Sequence, residues 1–147
     1  MRTYLNALHR LIYVSQATDF AATRAEAVMA DILESAVRRN SAAGVSGALL
    51  ACDQWFLQAL EGSRVKVGEI YGLISNDRRH HSLRLIEAKP VEQRVFGKWS
   101  MCGQTLSARD AEIVQLLGAR KALNPGSFSA DGALKLLRVV RDLQGPD

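Results

Sequence analysis

The fold of this chain turns on Arg39-Asn40-Ser41-Ala42-Ala43-Gly44-Val45-Ser46-Gly47-Ala48-Leu49-Leu50-Ala51-Cys52-Asp53-Gln54-Trp55-Phe56-Leu57-Gln58-Ala59-Leu60-Glu61-Gly62. A polar pair closes a helical pattern, and two apolar runs follow, split by the short turn Asp53-Gln54. That is the pattern of a β-hairpin. Gln58 interrupts the second run between Phe56, Leu57 and Leu60. An amide buried there needs a hydrogen-bond partner, since an unpaired one costs about 1–3 kcal/mol. The partner is either another side chain or a bound molecule.

Upstream, His9 to Ser15 is rich in β-branched and aromatic residues and predicts strand one, with Leu11, Tyr13 and Ser15 on one face. Thr23 and Glu26 have capping-box spacing ahead of a helix. Its apolar stripe is Ala25, Val28, Met29, Ile32, Leu33, Ala36 and Val37, and Arg38, Arg39 and Asn40 close it. Asn40 taken alone reads as a C-terminal cap, and Tyr13 taken alone as a core tyrosine. Val45–Ala51 and Trp55–Leu60 are strands two and three.

Downstream, Ser63 caps helix two, with Val67, Ile70, Tyr71 and Ile74 inward and an end near Asn76-Asp77. Gly68 and Gly72, one turn apart, suggest close packing or, less often, room for a flat ligand. Leu83 to Ala88 is strand four, with Leu83, Leu85 and Glu87 opposite Arg84, Ile86 and Ala88, and Pro90 ends it. Val95 to Cys102 is a short strand five. A tail helix from Ser107 to about Leu123 is broken at Asn124-Pro125-Gly126, and a last helix spans Ala133–Leu143. In that last helix Leu136, Leu137, Val140 and Leu143 point inward and Lys135, Arg138 and Arg141 outward.

This order predicts an α+β, ferredoxin-like sandwich: a five-stranded mixed sheet, two helices on one face and the C-terminal helices on the other. At 147 residues the chain is one compact unit, with a core over 1–103 and a helical extension over 104–147. Its 48% hydrophobic and 23% charged content is that of an ordinary globular protein. No secretory pattern or membrane-length apolar run is visible, and Cys52 and Cys102 lack the spacing of a zinc site. A cytoplasmic protein with reduced thiols is expected. The net charge of +4 is small and spread along the chain, so it argues only weakly for an anionic partner. The Arg78-Arg79-His80-His81 cluster has no metal-ligand spacing. Phosphate loops, nucleophile elbows and carboxylate pairs are absent from the sequence, and so is the aromatic signature of an RNA-recognition sheet.

Taken together, Leu11-Ile12-Tyr13-Val14-Ser15, Arg39-Asn40, Gly44 to Leu50, Phe56 to Gly62, Asp77-Arg78-Arg79-His80 and Trp99-Ser100-Met101 form a constellation in order and spacing. It resembles the BLUF domain, a blue-light sensor that binds flavin adenine dinucleotide (FAD). The resemblance implies a flavin ring between the two helices, clasped by Ile32 and Ile74. Asn40 would hold its carbonyl edge with Arg39 beside it, and Asp77, Arg79 and His80 would lie near the ribityl side. It further implies a photoactive group of Tyr13, Gln58, Trp99 and Met101. By that resemblance the excited flavin would take an electron from Tyr13, the proton would move through Gln58, and the pair would recombine to leave Gln58 rotated or tautomerised. Whether Trp99 or Met101 faces the flavin is left open. The signal would leave through strand five and the tail to a downstream signalling protein, from a non-enzymatic sensor that forms a homodimer or larger homo-oligomer. Departures from the family pattern are Gln54 for a glycine, Ala51 for an aromatic and Ala36 for a serine; they bear on tuning and recovery rather than on flavin binding. The alternative reading is a ferredoxin-like nucleic-acid-binding module with a basic surface.

Overall fold

The computed structural model describes residues 7–52, 54–97, 99–106 and 129–144. Strands β1 (Leu8–Ala17), β2 (Ser46–Cys52), β3 (Trp55–Ser63), β4 (His80–Pro90) and β5 (Cys102–Leu106) form one sheet in the order β4-β1-β3-β2-β5. All neighbours are antiparallel except β2 and β5. Helices α2 (Ala25–Ala43) and α3 (Arg64–Ser75) cover one face, with the short α1 (Asp19–Thr23) leading into α2. Helix α4 (Ala130–Gln144) covers the other face. The expected five-stranded mixed sheet of a ferredoxin-like α+β sandwich is therefore observed. Among the described residues no helix is long and apolar enough to cross a membrane.

Side-chain alternation divides the core into two layers. Ile12 and Val14 of β1 and Leu57 and Ala59 of β3 pack with Phe96, Leu136, Leu137 and Val140 under α4. Leu11, Tyr13, Phe56 and Leu60 pack with Met29, Ala36, Val67 and Ile70 under α2 and α3. β1 and β3 run in a register that sets Tyr13 directly opposite Gln58. The hairpin joins Cys52 to Trp55, and Gln54 carries no positive φ; Ser82, at 57°, is the one described non-glycine residue that does.

Several sequence expectations are corrected. The Thr23–Glu26 capping box does not form: Thr23 ends α1 and turns its hydroxyl back to the Asp19 carbonyl (3.0 Å), while Thr18 caps α1 instead. Helix α2 runs past Asn40 to Ala43, because Gly44 (φ 70°) takes the left-handed position that ends a helix most cheaply. Asn40 is thus a buried residue inside the helix rather than a cap, and Val37 is exposed. A Cβ at Gly68 or Gly72 would meet nothing within 4 Å, so neither glycine marks close packing. β4 is bulged twice against β1, at Ile12/Tyr13 and Val14/Gln16; Leu83 and Ile86 still join opposite layers as expected, but Glu87 crosses to pair with Ile12 and reach Arg10 (3.5 Å), and Leu85 is exposed.

Strand five begins only at Cys102. Val95 and Phe96 cannot enter a ladder because both backbone N–H groups are held by the Glu61 carboxylate (2.9–3.0 Å). In α4, Ser129 accepts from the Gly132 N–H (3.1 Å) and Leu136, Leu137 and Val140 are buried as expected. Leu143, however, is 58% exposed, and Arg141 turns inward to the Val95 carbonyl (3.2 Å). The tail helix expected from Ser107 and its break at Asn124-Pro125-Gly126 lie outside the described residues.

Candidate functional site

The layer under α2 and α3 is not filled. An open cleft, about 500 Å3 with the solvent space at its mouth included, lies between Ile32 of α2 and Ile74 of α3 and is lined by Tyr13, Leu49, Phe56, Gln58, Arg39, Asp77 and Arg79. Each lining residue follows from local structure. Ile32 lies one helical turn ahead of buried Ala36. Ile74 lies four residues after Ile70. Tyr13 and Gln58 are opposed by the β1–β3 register.

At the floor, the Tyr13 hydroxyl donates to Gln58 Oε1 at 2.5 Å, and both side chains are 2% exposed. The phenol ring packs against Tyr71 (centroids 5.4 Å, tilted) and His80 (6.1 Å, edge-on). Burial pushes the Tyr13 pKa far above its ordinary value, with Tyr71 and Asp77 adding to the rise and Arg39 opposing it. The phenol is therefore a hydrogen-bond donor at any physiological pH. Gln58 in turn donates through Nε2 to Met101 Sδ at 3.6 Å. A thioether is a weak acceptor, so the amide sits buried with a strong bond on its oxygen and a poor one on its nitrogen. That imbalance is what a ligand acceptor at the cleft floor would correct.

Asn40 does not line the cleft. It is fully buried behind Arg39, its Oδ1 accepting from Arg39 Nε (3.2 Å) and its Nδ2 donating to the Ser100 carbonyl (3.0 Å). Burial lowers the pKa of the Arg39 guanidinium, which is the signature of a cation partly stripped of water at the cleft wall. At the mouth, Arg79 bridges Asp77 (2.5 Å) and Asp31 of α2 (2.8 Å). Hydrogen bonds from Arg79 hold the Asp77 carboxyl below its usual range.

His80 is committed to the protein: Nε2 lies 2.7 Å from the Ile74 carbonyl and Nδ1 2.7 Å from Ser15 Oγ. A carbonyl only accepts, so the network assigns the proton to Nε2 and leaves Nδ1 to accept from Ser15. Its ring lines the cleft while both nitrogens brace the walls. Met101 belongs to the layer on the cleft side, whereas Trp99 packs against the opposite layer under α4. Sequence reasoning missed Ser35, Leu49, Phe56 and Leu73, all of which line the cleft. For Leu49 and Phe56 the signal was available, since both share a strand face with Gln58 or pair with it.

Among the described residues no group of three or more His, Cys, Asp or Glu could hold a metal ion. What the cleft offers instead is apolar walls from two facing helices, an amide and a phenol at the floor, and a desolvated guanidinium at one side. These residues fit a flat heteroaromatic ring with a polar edge. Such a sandwich with such a slot defines a domain built to take a flat ring between its two helices.

Residues 8–102 match the family described as sensors of blue-light using FAD, and the chain belongs to this BLUF family. Its cofactor is accordingly FAD. The chain is 35% identical over 94 residues to the photoactivated adenylate cyclase subunit alpha of Euglena gracilis, a match covering 64% of this chain but 9% of that protein. Among solved structures, BlsA in its photo-activated state is 25% identical with a TM-score of 0.77, covering 91% of this chain and 94% of the other. BlrB in its dark state is 25% identical with a TM-score of 0.69, covering 95% and 98%.

Proposed function

We propose that this chain senses blue light through Tyr13, Gln58 and Met101 and hands the result to another protein instead of catalysing a reaction itself. Bound FAD supplies a blue-absorbing chromophore whose excited state is oxidising enough to draw an electron from a neighbouring phenol. Ile32 and Ile74 would hold its ring, and Arg39, its guanidinium fixed by Asn40, would serve its polar edge. Asp77 and Arg79 serve the side chain at the mouth. Tyr13 is the electron donor; once oxidised its hydroxyl is acidic, and the short bond to Gln58 Oε1 is the path for its proton. Gln58 would return the proton as the electron comes back to Tyr13 and would settle with different hydrogen bonds, so the lasting product of illumination is a rearranged amide. Met101, touching Gln58 Nε2, carries that change into residues 99–102, β5 and the C-terminal extension over 104–147.

The observation that carries this reading is the buried 2.5 Å Tyr13–Gln58 bond ending on Met101 beside an open cleft. The receiving protein, a homodimeric or larger assembly, and a cytoplasmic setting belong to the same proposal. A nucleic-acid module reading off an open sheet is disfavoured, because α4 and Phe96 cover that face. The test is a lit-minus-dark absorbance spectrum of the purified chain. A small red shift that reverses in darkness is expected, and a preparation that stays colourless after incubation with FAD overturns the proposal.

A further inference from the structure

We infer that the peptide group of Val95 is the junction coupling the sensing strand to α4, with Glu61 and Arg141 as its two positioning residues. The inference rests on the light-sensing reading above. β3 carries Gln58 on the cleft face and Glu61 on the α4 face. The Glu61 carboxylate is fully buried, accepts the backbone N–H groups of Val95 and Phe96, and is balanced by Arg10 at 3.7 Å. The Val95 carbonyl accepts from Arg141 of α4 at 3.2 Å. One residue is thus gripped by β3 through its N–H and by α4 through its C=O.

The segment that begins at this junction ends on the amide at the cleft floor. Arg94 ties its start to Ser46 Oγ, the Gly44 carbonyl and the Glu61 carbonyl (2.8–3.0 Å). Phe96 is buried among the α4 side chains. The Trp99 carbonyl accepts from the Gly47 N–H (3.2 Å), the Ser100 carbonyl from Asn40, and Met101 Sδ from Gln58. A movement at Met101 therefore enters a segment tethered along its length. The tether from α4 is Arg141, which makes one bond to the neutral Val95 carbonyl and shares its guanidinium with exposed Asp142 (3.1 Å). Release of the Val95 carbonyl with the guanidinium kept on Asp142 would give this bond the two arrangements that coupling between distant groups requires.

The experiment uses the full chain with FAD bound and follows amide hydrogen exchange of α4, dark and under steady blue light, alongside the flavin spectrum. Wild type should change its α4 exchange by about fivefold or more on illumination, the usual size of a coupling between sites. Arg141→Met should lose that response yet keep the full flavin red shift. Arg141→Lys, which retains a donor, should recover at least part of it. Equal α4 responses in wild type and Arg141→Met overturn the junction, as does a wild type whose flavin shifts while α4 stays unchanged. A wild type with no flavin shift overturns the light-sensing reading itself, and the junction with it.

Discussion

On β1, Ile12 and Val14 enter a closed layer beneath α4, while Tyr13 between them enters a layer that holds a cleft of about 500 Å3; on β3, Leu57 and Ala59 stand in the same relation to Gln58. Alternate residues of the same two strands thus build opposite kinds of surface. The α4 layer is apolar apart from the buried Glu61–Arg10 pair, and Ile12, Leu50, Leu57, Phe96, Leu136 and Leu137 are all fully buried in it. The α2–α3 layer keeps a phenol, an amide and a guanidinium within reach of a ligand. Stability is concentrated on one side of the sheet and chemistry on the other, and residues 94–101 link the two. The comparison predicts that substitutions will separate cleanly: changes on the cleft face should alter the light response, and changes on the α4 face should alter stability.

The largest expected effect is that of Tyr13→Phe. Among the described residues it removes the only group at the cleft floor that can supply both an electron and a proton, while preserving shape. FAD should remain bound and the light-induced red shift should vanish; a shift of ordinary amplitude in this variant breaks the assignment of Tyr13. Next is Leu57→Ala on the opposite face of the neighbouring strand. Truncating a fully buried leucine should cost about 2–5 kcal/mol in denaturant unfolding and leave the shift at its usual wavelength. If the shift disappears while the fold survives, the two layers are not separable.

A smaller effect is expected from Met101→Leu, which keeps the volume but removes the sulfur acceptor of Gln58 Nε2. A net hydrogen bond is worth about 0.5–1.5 kcal/mol. If the bond favours one arrangement of the amide, dark recovery should change by about two- to tenfold, with the amplitude of the shift retained. Recovery kinetics after a blue pulse measure this directly. A rate identical to wild type would mean that Met101 is a spectator.

Much of this contrast was legible in the sequence, because it rests on periodicity. Alternation placed Tyr13 on one face of strand one, and the helical stripe placed Ile32 and Ile74 inward before any coordinates. What periodicity could not show was where a side-chain bond would override a local preference. Val95 and Phe96 have the composition of a strand, yet the Glu61 carboxylate withdraws their N–H groups, and the fifth strand starts at Cys102 instead. Asn40 suits a cap, but Gly44 three residues after Ser41 offers a cheaper end to the helix. Strand four keeps Leu83 and Ile86 on opposite sides as expected, but the bulge at Ile12/Tyr13 carries Glu87 over to Ile12 and Arg10. The placing of Trp99 and Met101 on opposite faces was undecidable from their spacing, since it depends on the same loop that Glu61 fixes.

The smallest expected change is a null result that depends on the cleft face being dry. In an unfolded chain a tyrosine titrates at about pH 10. Burial, chiefly, and then Tyr71 and Asp77 raise the folded value for Tyr13 well beyond that, against a weaker pull from Arg39. Between about pH 6 and 10 the phenol keeps its proton in both states of the chain, so the amplitude of the light-induced shift should be flat. Above about pH 10 the unfolded chain releases a proton that the fold retains, and stability must therefore fall as pH rises. Tyr13→Phe, lacking that proton, should lose less stability than wild type between about pH 10 and 11, where the limiting slope for one group is about 1.4 kcal/mol per pH unit. Tyr71, also raised by burial, remains in both proteins and cancels in the comparison. A dark-state midpoint near pH 10 in the shift amplitude would place the Tyr13 hydroxyl in water, and the contrast between the two faces would then have to be drawn without it.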